Sequence, residues 1–296
     1  MGALGALSEA SRGLSNPKGT PLRSISRRTL VGALVAVPAL ALAPAAGAVT
    51  LIGSGSSAAQ PYMLKLFKGY SAIHRSVHFR YSPDGGNAGV QDVQQGRSQF
   101  AINTRPPLKS DSGTTYFKLF LDGLCIVDNP KNALSDISIG ETKNIFLATD
   151  TNWSQVPGSN LATTIDPVGR NSAAGLYTFF QQAVLGGKTQ ASNVNPLPAD
   201  GLVANAVSRD PNAIGYVGLS HSARSFGVKA LTIGGVACDA AHIKNESYPL
   251  FRYDWAVLPT KHPSVQVEKF FDWVRTSKAA GKIIGRAGAV PAFNKK

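Results

Sequence analysis

Three glycine-rich segments each precede a predicted helix, and they carry the clearest chemical signal in this sequence. Segment 53–58 reads Gly-Ser-Gly-Ser-Ser-Ala, segment 83–89 reads Pro-Asp-Gly-Gly-Asn-Ala-Gly, and segment 169–175 reads Gly-Arg-Asn-Ser-Ala-Ala-Gly. The first N–H groups of a helix have no partner within it, so several converging helix starts can bind one anion. Arg170 would add a fixed charge and a forked set of donors. The segments predict an anion site, although each alone is also typical of an ordinary glycine turn.

The first segment also has the G-x-G-x-x-A spacing of a dinucleotide-binding turn. That class of site needs an acidic residue about 20 positions later, near the end of the second strand. The sequence there reads Phe79-Arg80-Tyr81, without a carboxylate. We therefore interpret the segment as an anion-binding turn and expect no cofactor.

Patterns typical of catalysis or metal binding do not occur in the sequence. It has no H-E-x-x-H, C-x-x-C or G-x-S-x-G motif. Its five histidines are scattered, and segment 220–222, Ser-His-Ser, is predicted to be a surface loop. A secreted hydrolase of phosphate esters would need a nucleophile, base or metal cluster that cannot be assembled here. We expect a binding protein without enzyme activity or a metal site.

Hydrophobic periodicity indicates the elements that must position these segments. It predicts strands at residues 49–53, 77–81, 100–102, 124–127 and 214–217. It predicts a first helix, capped by Ser57, with Met63, Leu66, Phe67, Tyr70 and Ile73 at helical spacing. Further helices are predicted at residues 89–95, 142–147, 175–184 and 267–274. The alternation of strands and helices predicts an α/β fold with mostly parallel strands.

The composition limits the class of protein. The chain has 296 residues, of which 43% are apolar and 16% charged. This excludes a disordered protein and a disulfide-dense miniprotein, and it suits two lobes with a cleft. The net charge is +13, but the basic residues form no stripe interleaved with aromatic residues. We therefore expect no nucleic-acid partner, whereas a small anionic ligand remains compatible with the charge.

Residues 1–48 have the layout of an export signal. A basic start precedes an apolar run at 30–42, and small residues follow at 46–48. Arg27 and Arg28 fit a twin-arginine pattern, so we expect a protein exported to the periplasm or the cell exterior. The alternative is a membrane anchor, although the apolar run is shorter than the roughly 20 residues that a spanning helix needs. Cys125 and Cys238 could form a disulfide or remain two buried thiols.

Short segments spread over nearly all of residues 49–296 add a family signal. They are Ile-Gly-Ser-Gly-Ser-Ser at 52–57, the stretch 81–90, Gly-Arg-Ser-Gln-Phe-Ala at 96–101, Leu-Asp-Gly-Leu at 121–124, Asn-Ile-Phe at 144–146 with Asn-Trp at 152–153, Asn-Ala-Ile-Gly-Tyr-Val at 212–217, Tyr-Pro-Leu-Phe-Arg at 248–252, Phe-Phe-Asp-Trp-Val at 270–274 and Gly-Ala-Val-Pro at 288–291. In this order they resemble the phosphate-binding proteins of bacterial ABC importers, the PstS-type family.

The resemblance implies a type II periplasmic-binding-protein fold, in which two hinge-linked α/β lobes close on an anion cleft. Lobe I would comprise residues 49–122 and 249–296, and lobe II residues 123–248. The stretches 124–127 and 251–257 would lie near the hinge. The implied function is that of an exported monomer that binds phosphate or a similar oxyanion and delivers it to an ABC permease. The alternative is an extracellular binding or sensing module of the same fold that has lost tight phosphate binding.

The resemblance also implies which residues bind the ligand, and here the sequence departs from the family. The implied set is Ser57, Ala58, Gly86, Asn87, Thr104, Arg170, Ala174 and Gly175. Ser57 and Arg170 keep the family's hydroxyl and guanidinium, and the backbone N–H groups of Ala58, Asn87 and Gly175 could still serve. Gly86, Ala174 and Leu176 stand where the family has hydroxyl side chains. Thr104 replaces a carboxylate that accepts the proton of hydrogen phosphate, so we expect weaker discrimination against sulfate.

Overall fold

One ten-stranded sheet runs through residues 47–292, the part of the chain that this computed structural model describes. The predicted export signal lies outside the described residues, apart from its last two. The strands of the large sheet follow the order β2-β1-β3-β11-β4-β8-β6-β7, and β9 and β12 also pair with β4. Strands β5 and β10 form a separate pair. The described residues form twelve strands, which are β1 (Val49–Gly55), β2 (Val77–Ser82), β3 (Phe100–Asn103), β4 (Thr114–Asp128), β5 (Asp136–Ile137), β6 (Asp166–Arg170), β7 (Asn195–Leu197), β8 (Ala213–Gly218), β9 (Lys229–Ala230), β10 (Thr232–Ile233), β11 (Phe251–Pro259) and β12 (Val290–Pro291).

Eight α-helices alternate with these strands in the described part of the chain, which confirms the predicted α/β class. They are α1 (Gln60–Ile73), α2 (Gly86–Gln94), α3 (Ile139–Phe146), α4 (Gly175–Ala183), α5 (Asp200–Arg209), α6 (Ala240–Lys244), α7 (Val265–Thr276) and α8 (Lys278–Arg286). Every helix and strand predicted from the sequence overlaps an observed element of the same type. The pattern of apolar residues did not predict helices α5, α6 and α8, the first half of β4, or strands β5, β6, β7, β9, β10, β11 and β12.

The sheet is mixed, so the prediction of mostly parallel strands is wrong. Strand β1 is parallel to β2 and β3, and β6 is parallel to β7 and β8. The long strands β4 and β11 are antiparallel to each other, β11 is antiparallel to β3, and β4 is antiparallel to β8. Strands β4 and β11 therefore lie between the two groups of parallel strands, and each is antiparallel to the strands on both sides of it.

Helix α1 shows how the first glycine-rich segment is placed. Its apolar residues recur on one face, where Met63, Leu66 and Phe67 are buried, and Pro61 lies in the first turn, where proline is tolerated. The prediction that Ser57 caps this helix is wrong. The helix begins at Gln60, and the hydroxyl of Ser56 accepts a hydrogen bond of 3.1 Å from the N–H of Ala59. The Ser57 hydroxyl is left to make a contact elsewhere.

Two large apolar clusters lie along the sheet. One is built from residues between 51 and 120 together with residues between 256 and 289, and Phe67 stacks on Phe79 within it with 4.3 Å between ring centroids. The other is built from residues between 121 and 250 together with Val290, and there Phe180 stacks on Tyr216 at 4.0 Å. Strands β4 and β11 contribute side chains to both clusters.

Cys125 and Cys238 form a disulfide with a Cα–Cα distance of 5.6 Å, which decides between the two alternatives left open by the sequence. The bond joins β4 to the segment that leads into α6.

Within residues 47–292, no helix has the length and apolar character required to cross a membrane.

Candidate functional site

Ser57 and Arg170 meet at the carboxylate of Asp200, the first residue of α5. The Ser57 hydroxyl donates to Oδ1 of Asp200 at 3.1 Å, and Nη1 of Arg170 forms an ion pair with the same oxygen. The other oxygen, Oδ2, accepts from the backbone N–H of Gly218 at 2.7 Å. All of these side chains are buried, and Asp200 has no exposed surface. A guanidinium, a hydroxyl and a backbone N–H group therefore converge on one oxyanion.

The guanidinium of Arg170 is fixed by backbone carbonyls as well. Its Nε donates to the carbonyl of Leu197 at 3.1 Å, and its Nη2 donates to the carbonyl of Pro198 at 2.7 Å. Burial lowers the pKa of Arg170 to about 10, so the group is still charged at neutral pH. A buried charge of this kind is costly unless it is paired. The arrangement therefore holds Arg170 in one orientation and requires an anion beside it.

Gly86, Thr104 and Gly175 lie around the side-chain oxygen of Asn103. A Cβ at position 86 or 175 would overlap Asn103 Oδ1. While Asn103 keeps this conformation, both positions therefore accept only glycine. The same oxygen accepts from the N–H of Thr104 at 2.8 Å. A Cβ at position 175 would also lie 2.9 Å from the hydroxyl of Thr104, so this residue does face the start of α4.

Asn87 connects the start of α2 to the start of α4. Its Nδ2 donates to the carbonyl of Ser172 at 2.9 Å, to the carbonyl of Ala174 at 3.2 Å and to the hydroxyl of Thr178 at 2.9 Å. Its backbone N–H, which the resemblance offered to an anion, donates instead to the carbonyl of Ala173 at 2.9 Å. Two of the three glycine-rich segments are thus bonded directly to each other.

Ala58 packs against Gly218, and a Cβ added at position 218 would lie only 2.8 Å from the Cβ of Ala58. Its carbonyl accepts from the hydroxyl of Ser220 at 2.7 Å, and that hydroxyl lies 2.7 Å from Nδ1 of His221. The predicted surface loop at 220–222 is therefore wrong, since His221 and Ser222 are buried. Burial lowers the pKa of His221 to about 4, which keeps its ring neutral.

A cluster of buried charges next to this site was missed by the sequence analysis. Arg252 forms ion pairs with Asp122 and Asp254, and its Nη1 donates to the carbonyl of Thr104 at 3.2 Å. Burial raises the pKa of Asp254 to about 8, and the nearby Asp122 carboxylate adds to this rise. The only available signal was the presence of charged residues in strands that are otherwise apolar.

Asp200 was also missed, because an acidic residue in the first turn of a helix is common without any ligand role. Its place beside Arg170 depends on how α5 packs against β6 and β8, which periodicity does not reveal.

Within residues 47–292, no group of three histidine, cysteine or acidic side chains is arranged to hold a metal ion. The chemistry that the site offers is the binding of an oxyanion.

Comparison with known proteins identifies a family model and relatives that match most of this chain. A family model described as a PBP superfamily domain matches residues 41–278. The phosphate-binding protein PstS of Bacillus subtilis is 26% identical to this chain, and the match covers 85% of this chain and 83% of that protein. The protein SphX of Synechococcus elongatus is also 26% identical, with coverages of 92% and 87%.

Solved structures agree in fold. A structure from Clostridium perfringens with bound phosphate has a TM-score of 0.77 and 23% identity, and the match covers 82% of this chain and all of that one. An ABC-type phosphate transport receptor from Vibrio cholerae has a TM-score of 0.66 and 22% identity, with coverages of 81% and 99%. These similarities confirm the type II periplasmic-binding-protein fold that the resemblance implied.

Proposed function

Because the chain belongs to the PBP superfamily, we propose that it is an exported solute-binding protein that binds phosphate or a similar oxyanion and delivers it to an ABC importer. Its curated relatives include phosphate-binding proteins. On this proposal it acts as a monomer in the periplasm or at the cell exterior, and it binds its ligand without changing it chemically.

One observation carries the proposal. Ser57, Arg170 and the N–H of Gly218 already hold a carboxylate, which is an oxyanion with negative oxygens like those of phosphate. Charge-assisted hydrogen bonds of this kind are stronger than neutral ones, and burial strengthens them further. The same donors would serve an external oxyanion at this place.

The two apolar clusters support the proposed division into lobes. Residues 49–122 and 249–296 would form lobe I, and residues 123–248 lobe II, with β4 and β11 crossing between them. Ser57 would then belong to lobe I, whereas Arg170 and Asp200 would belong to lobe II. An anion held by Ser57 and Arg170 together would therefore join the lobes, which is how binding closes a hinged protein.

The proposed ligand set is that of the resemblance. It comprises Ser57, Ala58, Gly86, Asn87, Arg170, Ala174 and Gly175 from the three glycine-rich segments, and Thr104, which follows β3. Few of their side chains carry donors, so the guanidinium of Arg170 would contribute most of the affinity. A hydrogen bond to a charged group contributes about 1.5–3 kcal/mol. Loss of Arg170 should therefore weaken phosphate binding by more than loss of Ser57.

Titration calorimetry of the purified protein with phosphate, and separately with sulfate, tests the proposal. We expect one anion to bind per chain, and we expect Arg170→Ala, with its folding checked by circular dichroism because the variant leaves the buried Asp200 unpaired, to abolish the binding. Arg224→Ala is the matched control, because Arg224 is exposed and lies outside the site. Absence of heat with both anions, from folded protein, would instead favour a binding or sensing module that has lost the phosphate site.

A further inference from the structure

The carboxylate of Asp200 uses the same donors that the proposed ligand needs. Oδ1 takes the Ser57 hydroxyl and Nη1 of Arg170, and Oδ2 takes the N–H of Gly218. The backbone N–H of Asp200 donates back to the Ser57 hydroxyl at 3.2 Å. Because the remaining guanidinium contacts of Arg170 go to carbonyls of Leu197 and Pro198, an external anion that approaches Arg170 meets donors already engaged.

The buried guanidinium groups around the site are already paired as well. Arg170 is paired with Asp200, and Arg252 is paired with Asp122 and Asp254. Arg105, which contacts Asn87, is paired with Asp111. Adding an oxyanion while Asp200 stays in place would set two negative groups against one guanidinium in a buried site. Like charges at such short range are strongly unfavourable. The external anion and the Asp200 carboxylate therefore exclude each other.

The position of Asp200 gives its carboxylate a way to leave. It is the first residue of α5, and only the exposed Pro198 and the partly exposed Ala199 separate it from β7. The apolar residues Val203, Ala204 and Val207 anchor α5 further along, so a movement confined to Asp200 leaves their contacts in place.

We propose that Asp200 is an internal ligand of the anion site, so that an oxyanion binds by displacing its carboxylate from Arg170 and Ser57. This inference rests on the proposed function and adds a specificity-determining residue to it. Asp200 sets the threshold for binding, because only an anion that interacts with these donors better than a carboxylate replaces it. The residue also keeps Arg170 paired when no external anion is bound.

The first test compares phosphate binding by the unmodified protein, Asp200→Asn and Asp200→Asn/Arg170→Ala, by titration calorimetry. Asparagine keeps the shape and one acceptor oxygen but removes the charge. We expect Asp200→Asn to tighten phosphate binding by at least about tenfold, since one charged interaction accounts for that much. The double variant should not bind. Asp272→Asn is the matched control, since it removes one negative charge from an exposed position on α7, and its affinity should not change.

The outcomes separate the two proposals. If the unmodified protein binds phosphate through Arg170 and Asp200→Asn binds it no more tightly, the proposed function stands and the internal-ligand inference is wrong. If no variant binds phosphate or sulfate, both are overturned.

A second measurement applies whether or not Asp200→Asn folds well. Asp200→Ala removes the whole carboxylate, and formate supplied in solution should occupy its place and raise the melting temperature of this variant. Formate should not raise the melting temperature of the unmodified protein or of Asp272→Asn. Phosphate should compete with formate for the variant. Failure of formate to stabilise Asp200→Ala beyond these controls would overturn the inference.

Discussion

The side-chain amide of Asn87 lies 2.9 Å from the hydroxyl of Thr178, and this contact ties the start of α2 to α4. The same Nδ2 reaches the carbonyls of Ser172 and Ala174, and Oδ1 of Asn87 accepts from Nε of Arg105 at 2.7 Å. One side chain thus satisfies several polar groups between two glycine-rich segments.

We expect Asn87→Ala to lower the free energy of unfolding by about 1–3 kcal/mol, because it leaves partly buried acceptors without their donor. Urea unfolding followed by circular dichroism would measure the change. Gln91→Ala is the control, since Gln91 is exposed on the same helix. Equal losses in the two variants would contradict the role given to Asn87.

Reduction of the disulfide between Cys125 and Cys238 should destabilise the fold. The bond closes a loop with a sequence separation of 113 residues. Cross-links that close loops of this length contribute about 2–5 kcal/mol, in part by restricting the unfolded chain. Unfolding curves with and without reductant would measure the difference. The double variant Cys125→Ala/Cys238→Ala is the control and should not respond to reductant; a response there would assign the effect to something else.

Asp128 should make stability depend on pH. Its carboxylate is fully buried, with neither oxygen hydrogen-bonded, and burial raises its pKa to about 7 although Nζ of Lys229 lies 3.5 Å away. Between pH 4 and 7 the folded protein keeps a proton that the unfolded chain has lost, so stability falls as the pH rises. Asp128 should contribute about 1.4 kcal/mol per pH unit to this fall.

Asp128→Asn removes this titration, so its stability relative to the unmodified protein should rise from pH 4 to pH 7. Asp136→Asn is a useful control, since hydrogen bonds from Thr232 and Gly235 lower the pKa of Asp136. The Asp136 carboxylate is ionised in the folded and the unfolded state above pH 5. The free energy of unfolding of Asp136→Asn should therefore change with pH as that of the unmodified protein does in this range. Parallel curves for Asp128→Asn as well would contradict the prediction.

Thr104 should decide how well the site separates phosphate from sulfate. A carboxylate at this position would accept the proton of hydrogen phosphate and repel fully ionised sulfate. We expect the unmodified protein to bind the two anions within about tenfold of each other, and we expect Thr104→Asp to favour phosphate by a further factor of about ten or more. Calorimetry with both anions would measure the ratio. Thr104→Asn controls for size without charge, and an equal shift in its ratio would argue against the electrostatic cause.

Much of the fold is readable from local sequence. Helix α1 is predicted by the spacing of Met63, Leu66, Phe67 and Tyr70, and strand β8 by a short apolar run before a turn. The first half of β4 was not predicted, because residues 114–120 mix threonine, lysine and aromatic side chains without a regular alternation. Its strand conformation comes from pairing with β11, a partner more than 120 residues away.

The candidate site was predictable only in part. Arg170 and Ser57 stand out as donors, and the structure does bring them together. The carboxylate that joins them did not stand out, because Asp200 lies 30 residues beyond Arg170 and 143 beyond Ser57 in sequence. Asn103 was not in the predicted ligand set, although its side-chain oxygen fills the space left by glycine at positions 86 and 175.

Strand β4 carries a consequence for how the molecule melts. Residues Thr114 to Gly123 pair with β11, and residues Leu124 to Asp128 pair with β8, so one continuous backbone serves both apolar clusters. Unfolding of either cluster would break hydrogen bonds of β4, a strand that also contributes side chains to the other cluster. The two halves are thus expected to unfold cooperatively, as a single calorimetric transition rather than two, even though each has its own apolar interior.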